Sequence, residues 1–236
     1  MESGQTQFQN EAYEEALTSF QQAKNTYDDI GSAKTTKCDP WVKKARTGVE
    51  ADALVEMAEG EYETGHYESA LDLFETAKEK YESIESTEES ECDYWIERAQ
   101  KGADADDLME SGKEQFQNEA YEDALTSFQQ AKDTYDDIGS AKTTECDPWI
   151  EKTQTGIDAD NLMESGQTQF QNEAYEEALT SFQQAKNTYE SIGSSKVSEC
   201  DLWIKKTQDE MEGTCLGTTF LLALIAGLLL SKRNLF

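Results

Sequence analysis

Four cysteines recur in one pattern, Cys-Asp-x-Trp: Cys38-Asp39-Pro40-Trp41, Cys92-Asp93-Tyr94-Trp95, Cys146-Asp147-Pro148-Trp149 and Cys200-Asp201-Leu202-Trp203. Thiols at regular intervals raise the possibility of a disulfide or a zinc site. Their spacing argues against both. Neighbouring helices pack 8–10 Å apart, so equivalent positions one two-helix unit apart are separated by roughly 15–20 Å. A disulfide needs Cα atoms within about 7 Å, and no CxxC or CxxH pattern brings zinc ligands together. The four cysteines therefore read as small apolar residues near a loop-to-helix corner. The four tryptophans read as core anchors. Cys215 lies at the edge of an apolar stretch, and nothing around it marks it for lipidation. His66 is the only histidine and sits in a turn with no nucleophile in a matching motif. Asp104, Asp106, Asp107, Asp158 and Asp160 suggest cation ligands, but no EF-hand loop surrounds them, and on a helix they form an acidic face. There is no P-loop, dinucleotide fingerprint or nucleophile elbow. The expectation is a protein without catalytic residues, metal or cofactor.

These residues are carried by a repeat. Asn10 to Tyr27, NEAYEEALTSFQQAKNTY, returns at Thr64, at Asn118 and at Asn172, each time after 54 residues. A fixed period of this kind is the signature of stacked units, each burying its apolar face against its neighbours. Tyr13, Ala16, Leu17, Phe20, Ala23 and Tyr27 step by three or four, which predicts one buried helical face. A second periodic run precedes it. That run keeps a small residue at Gly4, Ala58, Gly112 and Gly166, and an aromatic at Phe8, Tyr62, Phe116 and Phe170. The breaks at Asn10-Glu11, Thr64-Gly65, Asn118-Glu119 and Asn172-Glu173 are short enough for antiparallel hairpins.

After Ile30, Ile84, Ile138 and Ile192 comes a polar stretch such as GSAKTTK, read as a loop. Asp39 followed by Pro40 suits an N-cap with proline at the first helical position. Trp41, Ala45, Val49, Leu54, Ala58 and Tyr62 then continue at helical spacing. This predicts a long helix of about 25 residues, near Pro40 to Thr64. Gly48, Gly102 and Gly156 lie inside it as candidate kinks.

The small residue, the aromatic a turn later and the following Tyr, Ala, Phe and Ala resemble the tetratricopeptide repeat. Ala58, Tyr62, Tyr67, Ala70, Phe74 and Ala77 fit that order, as do Gly112, Phe116, Tyr121, Ala124, Phe128 and Ala131. The proline expected after the second helix is missing, and the period is 54 residues where that family has 34. The resemblance implies an all-α solenoid of antiparallel hairpins that binds peptides on the concave surface lined by the first helix of each unit. Mapped by register, that surface carries Asp52, Glu56, Glu59 and Glu63, then Asp106, Glu110, Lys113 and Gln117, then Asp160, Glu164, Gln167 and Gln171. The Lys and Asn clamp that some family members use for a C-terminal carboxylate is not matched at these positions. The implied ligand is a basic or neutral protein or peptide.

The expected organisation is four repeats over 1–213, divided as 1–54, 55–108, 109–162 and 163–213. Met1 falls midway through the long helix, so the first unit is expected to be incomplete at its N-terminal side. No charged n-region followed by an apolar h-region precedes the repeats. Thr214 to Ser231 contains no charged residue and is mostly apolar, which predicts a transmembrane helix over 214–231 with a short basic tail over 232–236. The expected location is a single-pass membrane protein with a C-terminal anchor; Lys232 and Arg233 after the span lean toward external repeats, the missing leader toward cytosolic ones, and the cytosolic face is slightly favoured.

The net charge of −30 argues against nucleic acid, whose phosphates would be repelled. The charge is uneven: residues 55–108 carry 18 acidic and 4 basic side chains. Any special partner therefore points to the second repeat, which is also the most diverged. The resulting expectation is a membrane-anchored scaffold that presents an acidic helical-repeat surface to protein partners. The alternative is a structural or spacer protein, self-associating and without a specific peptide ligand.

Overall fold

The computed structural model describes residues 1–213, which are all-helical apart from the connecting turns. The helices are α1 (Glu2–Gln9), α2 (Tyr13–Asp29), α3 (Thr35–Glu63), α4 (Tyr67–Ile84), α5 (Glu89–Gln117), α6 (Tyr121–Asp137), α7 (Thr143–Gln171) and α8 (Tyr175–Ile192), followed by a helical stretch over 197–213. They pack consecutively, as in a helical-repeat protein: α1 on α2, α2 on α3, α3 on α4. Contacts divide the chain into two units. One comprises Met1–Leu108 with Gln130–Thr144, and the other Met109–Gln129 with Glu145–Phe236.

The shorter helix of each hairpin follows its apolar period. In α2, Tyr13, Ala16 and Phe20 are buried; in α4, Tyr67, Ala70, Phe74, Ala77 and Tyr81 are. The small residues of the preceding helix face this stripe. A Cβ added to Gly4 would lie 2.7 Å from the Phe20 ring, and one added to Gly112 would lie 2.7 Å from Phe128. Gly48, Gly102 and Gly156 have the same role further back along the long helices. A Cβ at Gly156 would lie 2.7 Å from the Tyr121 ring, and those at Gly48 and Gly102 would overlap Tyr13 and Tyr67. Helices α3, α5 and α7 run unbroken through these positions. The glycines permit close approach and do not interrupt the helices.

The tryptophans lock the long helix onto the hairpin. Trp41 stacks on Phe20 at 5.4 Å and meets Phe8 edge-on at 5.7 Å. Trp95 stacks on Phe74 at 5.7 Å and meets Tyr62 at 5.3 Å. In the other unit, Trp149 stacks on Phe128 and Trp203 on Phe182. Such pairs add about 0.5–1.5 kcal/mol beyond their buried area. The cysteines beside them are buried and not joined in disulfides. Cys146 lies 3.4 Å from the Met109 sulfur and Cys200 lies 3.3 Å from that of Met163.

Each long helix starts earlier than the sequence suggests. It begins at Thr35, Glu89 or Thr143 and runs for 29 residues, with Pro40 and Pro148 inside it. A serine shapes the turn that leads into each one, and α3 itself carries no side-chain cap. Ser86 Oγ accepts the Glu88 amide at 3.1 Å, Ser140 Oγ that of Lys142 at 3.0 Å, and Ser194 Oγ that of Lys196 at 3.1 Å. Asp39, the expected cap, instead meets the Lys24 ammonium at 2.5 Å. The same serines close the preceding helix. The Ser86 amide reaches the Tyr81 carbonyl at 3.1 Å and the Glu85 amide reaches that of Glu82 at 3.1 Å. This paired pattern ends a helix through a left-handed residue, here Glu85 with φ 63° and at the other copies Gly31, Gly139 and Gly193.

The anchor expectation is corrected. Among the described residues no helix is long and apolar enough to cross a membrane, so a single-pass membrane location finds no support in the fold. The expectation rested on 214–231, which lies outside the described residues, as does Cys215.

Candidate binding site in the second repeat

Position 36 residues after each aspartate of the long helix faces that aspartate. Lys142 Nζ lies 2.7 Å from Asp106 Oδ1, and Lys196 Nζ lies 2.6 Å from Asp160 Oδ1. Both carboxylates also accept a hydrogen bond from a buried tyrosine, Tyr135 for Asp106 and Tyr189 for Asp160. Each ammonium sits over an aromatic face: Lys142 is 5.0 Å from the Tyr67 ring and Lys196 is 5.0 Å from that of Tyr121. The packing unit is thus one carboxylate, one tyrosine hydroxyl and one lysine held above a tyrosine ring.

The second repeat breaks this pattern. The aspartate that faces it is Asp52, at the end of the 1–54 segment on the same long helix, and Tyr81 donates to it at 2.7 Å as at the other sites. The residue 36 positions on is Glu88. A carboxylate therefore stands where the other two sites have an ammonium, and Glu88 Oε2 is buried without a hydrogen-bond partner. Glu11 adds a further negative charge nearby. Its carboxylate accepts from the Thr87 hydroxyl at 2.5 Å and the Thr87 amide at 3.1 Å. Burial, then the charges of Asp52 and Glu11, push the Glu88 carboxyl up to about 7. Burial raises Asp52 as well. Burial raises Cys92 to about 11, which leaves it a thiol at neutral pH.

The space in front of these groups is a cleft of 250 Å³, formed by Asp52, Val55, Glu56 and Glu59 of α3, Tyr81 of α4, Glu88 of the turn, and Glu91, Cys92 and Trp95 of α5. Five carboxylates ring an apolar floor. Two of the five are peculiar to this copy, for Glu59 is replaced by Lys113 and Gln167 elsewhere, and Glu88 by Lys34, Lys142 and Lys196.

Of the residues expected from the sequence, the structure brings together Asp52, Glu56 and Glu59. Glu63 is exposed at the end of α3 and does not line the cleft. Asp106 and Asp160 are engaged by their own lysines. Glu110 and Glu164 are exposed, while Lys113 and Gln167 are half-buried. Gln117 borders a separate depression with Phe116, Trp149 and Lys152, and Gln171 is exposed. Glu88, Glu91 and Tyr81 were missed. The signal for Glu88 was present in the repeat alignment, as the one acidic residue in a column of lysines. His66 is the exposed turn residue expected, 3.0 Å from both Thr64 Oγ1 and Glu61 Oε2. Among the described residues no group of three or more His, Cys, Asp or Glu side chains is arranged to hold a metal ion. Comparison with models of known protein families and with curated protein sequences finds no match.

The cleft has the chemistry of a cation receptor. Asp52 and Glu88, both half-buried, repel one another there, and the buried Glu88 Oε2 without a hydrogen bond costs free energy that a complementary cation would recover.

Proposed function

We propose that this chain is a non-enzymatic scaffold of tetratricopeptide-like hairpins that binds a basic protein or peptide through the acidic surface of its second repeat. The observation that carries this reading is the cleft with five carboxylates, including Glu88 with its buried Oε2 left without a hydrogen bond, in the most acidic copy of the unit. The close approach of Gly4 to Phe20 and of Gly112 to Phe128 supports the tetratricopeptide-like assignment, because the small residue on which the resemblance was read lets the two helices of the hairpin pack closely. The lysines that neutralise Asp106 and Asp160 leave the second repeat as the site with uncompensated charge.

Affinity for a panel of basic, neutral and acidic peptides tests this. Basic peptides should bind, and their affinity should fall at least tenfold between about 50 and 300 mM salt, as the Debye length shortens from roughly 14 to 6 Å. Replacing Asp52, Glu56 and Glu59 together by their amides should remove most of the binding. Equal affinity for the three classes, or indifference to the triple substitution, would contradict the reading and favour a spacer with no peptide ligand.

A further inference from the structure

The structure supplies its own example of what this cleft lacks. Asp106 and Asp160 are equivalent to Asp52 by the 54-residue period, and each holds a lysine ammonium from within the chain. The tyrosines around those ammonium groups are also retained. Tyr13 and Tyr81 stand where Tyr67 and Tyr135 stand, and both pairs have ring centroids 6.3 Å apart. Only the cation is missing, and Glu88 replaces it with a second carboxylate whose Oε2 is buried and unpaired.

We infer that the cleft of the second repeat takes a lysine side chain from a bound peptide, its ammonium meeting Asp52 and Glu88 as Lys196 meets Asp160 within the chain. Val55, Trp95 and Tyr81 supply apolar surface for the methylene stem, as long cationic side chains bury their stems and keep the charge paired. Once ionised, the carboxylate of Glu88 adds a second negative charge to that of Asp52, so the slot selects a full positive charge over a neutral hydrogen-bond donor. Glu59, at the cleft wall and acidic only in this copy, extends the negative surface along α3 for neighbouring basic residues.

This inference rests on the basic-partner reading and is separable from it. The probe is a fluorescent nonapeptide bearing three lysines in a Gly-Ser background, bound to the full chain at 50 mM salt and followed by anisotropy. Glu88→Lys gives the slot its own lysine, as in the third and fourth repeats, so it is compatible with the fold. Glu75→Lys makes the same charge change at an exposed site on α4, away from the cleft. The expected result is at least a tenfold loss of affinity for Glu88→Lys and less than a twofold loss for Glu75→Lys. Acetylation of the peptide lysines should abolish binding, and wild-type affinity should rise from pH 6 to pH 8 as Glu88 ionises. Equal weakening by the two variants would overturn the lysine slot and leave a diffuse acidic surface as the binding determinant. No binding of the probe by the wild-type chain would overturn both readings.

Discussion

Lys196 Nζ lies 2.6 Å from Asp160 Oδ1, beside the Tyr189 hydroxyl that donates to the same carboxylate. The contact joins residues 36 apart, across the turn between one hairpin and the next long helix. The Asp106–Lys142 contact repeats it in the other unit. Glu88 is the exception to this pairing, and the function proposed for the second repeat follows from that exception.

Restoring the pairing should stabilise the fold. In Glu88→Lys a repulsive carboxylate is replaced by the ammonium found at the equivalent sites. The pair is partly exposed, as Lys196 and Asp160 are at 25% and 41%, so screening keeps the gain modest. An increase of about 1 kcal/mol is expected from the pair together with the ammonium over the ring. Urea denaturation at pH 7.5 measures it, and an unchanged midpoint would argue against Glu88 occupying the lysine position.

The pH dependence has a definite sign. Glu88 has its pKa raised from an ordinary 4.5 to about 7 by burial and by the charges of Asp52, Glu11 and Glu91, with Tyr81 opposing. The folded state therefore binds the proton more tightly than the unfolded state. That contribution to stability is complete below about 4.5 and is lost as pH rises through about 7. Glu119 behaves in the opposite way. Burial works against its ionisation, but donors from Ser194 and Ser195 and the charge of Lys196 outweigh it and lower its pKa. Its contribution is present above its unfolded value and is lost as pH falls through the lowered one. General relief of the negative charge also favours the folded state in acid. The diagnostic is thus the difference between wild type and Glu88→Gln. Melting temperatures taken from pH 5 to pH 8 should fall more steeply for the wild type, and parallel curves would contradict the assignment.

The helix end at Glu85 supplies a test independent of the cleft. Glu85 adopts φ 63°, where three equivalent positions have Gly31, Gly139 and Gly193. A left-handed residue with a side chain carries a strain of about 1 kcal/mol that glycine avoids. Glu85→Gly should raise stability by about that amount in urea denaturation, with the helical circular dichroism unchanged.

Gly156 should respond in the opposite direction to a helix-propensity argument. Alanine in place of glycine within a helix gains about 1 kcal/mol on an exposed surface. At Gly156 the added Cβ would lie 2.7 Å from the Tyr121 ring. Overpacking of that kind costs about 1–3 kcal/mol, so the clash should prevail. Gly156→Ala should lower the thermal midpoint, and a rise would show that the Tyr121 ring can retreat.

The hairpins were legible in the sequence because their signals are local. The steps of three and four from Tyr13 to Phe20 mark a buried face, and the small residue at Gly4 or Gly112 leaves room for one aromatic. The start of the long helix was misread for a local reason as well. Asp39-Pro40 is the stronger cap signal in the sequence, yet the helix starts at Thr35, straight after a turn that Ser32 shapes while its amide closes the helix before. A residue with both duties lies next to a left-handed turn, where sequence pattern has no period. Asp52, Glu56 and Glu59 were found through register along one helix. Glu88 stands out as the one acidic residue in a column of lysines, but that column has meaning only once the next long helix packs and brings it to the aspartate 36 positions earlier. The apolar stretch from Thr214 suggested a membrane span by composition alone, and no helix of the described fold supplies one.

The most direct measurement is a carbon-13 titration of the Glu88 side-chain carboxyl, followed by NMR with and without the three-lysine peptide. The account predicts a midpoint near pH 7 in the free chain and a shift toward the ordinary carboxylate range when the peptide supplies the missing cation. A midpoint near 4.5 in the free chain, or one that the peptide leaves in place, would contradict it.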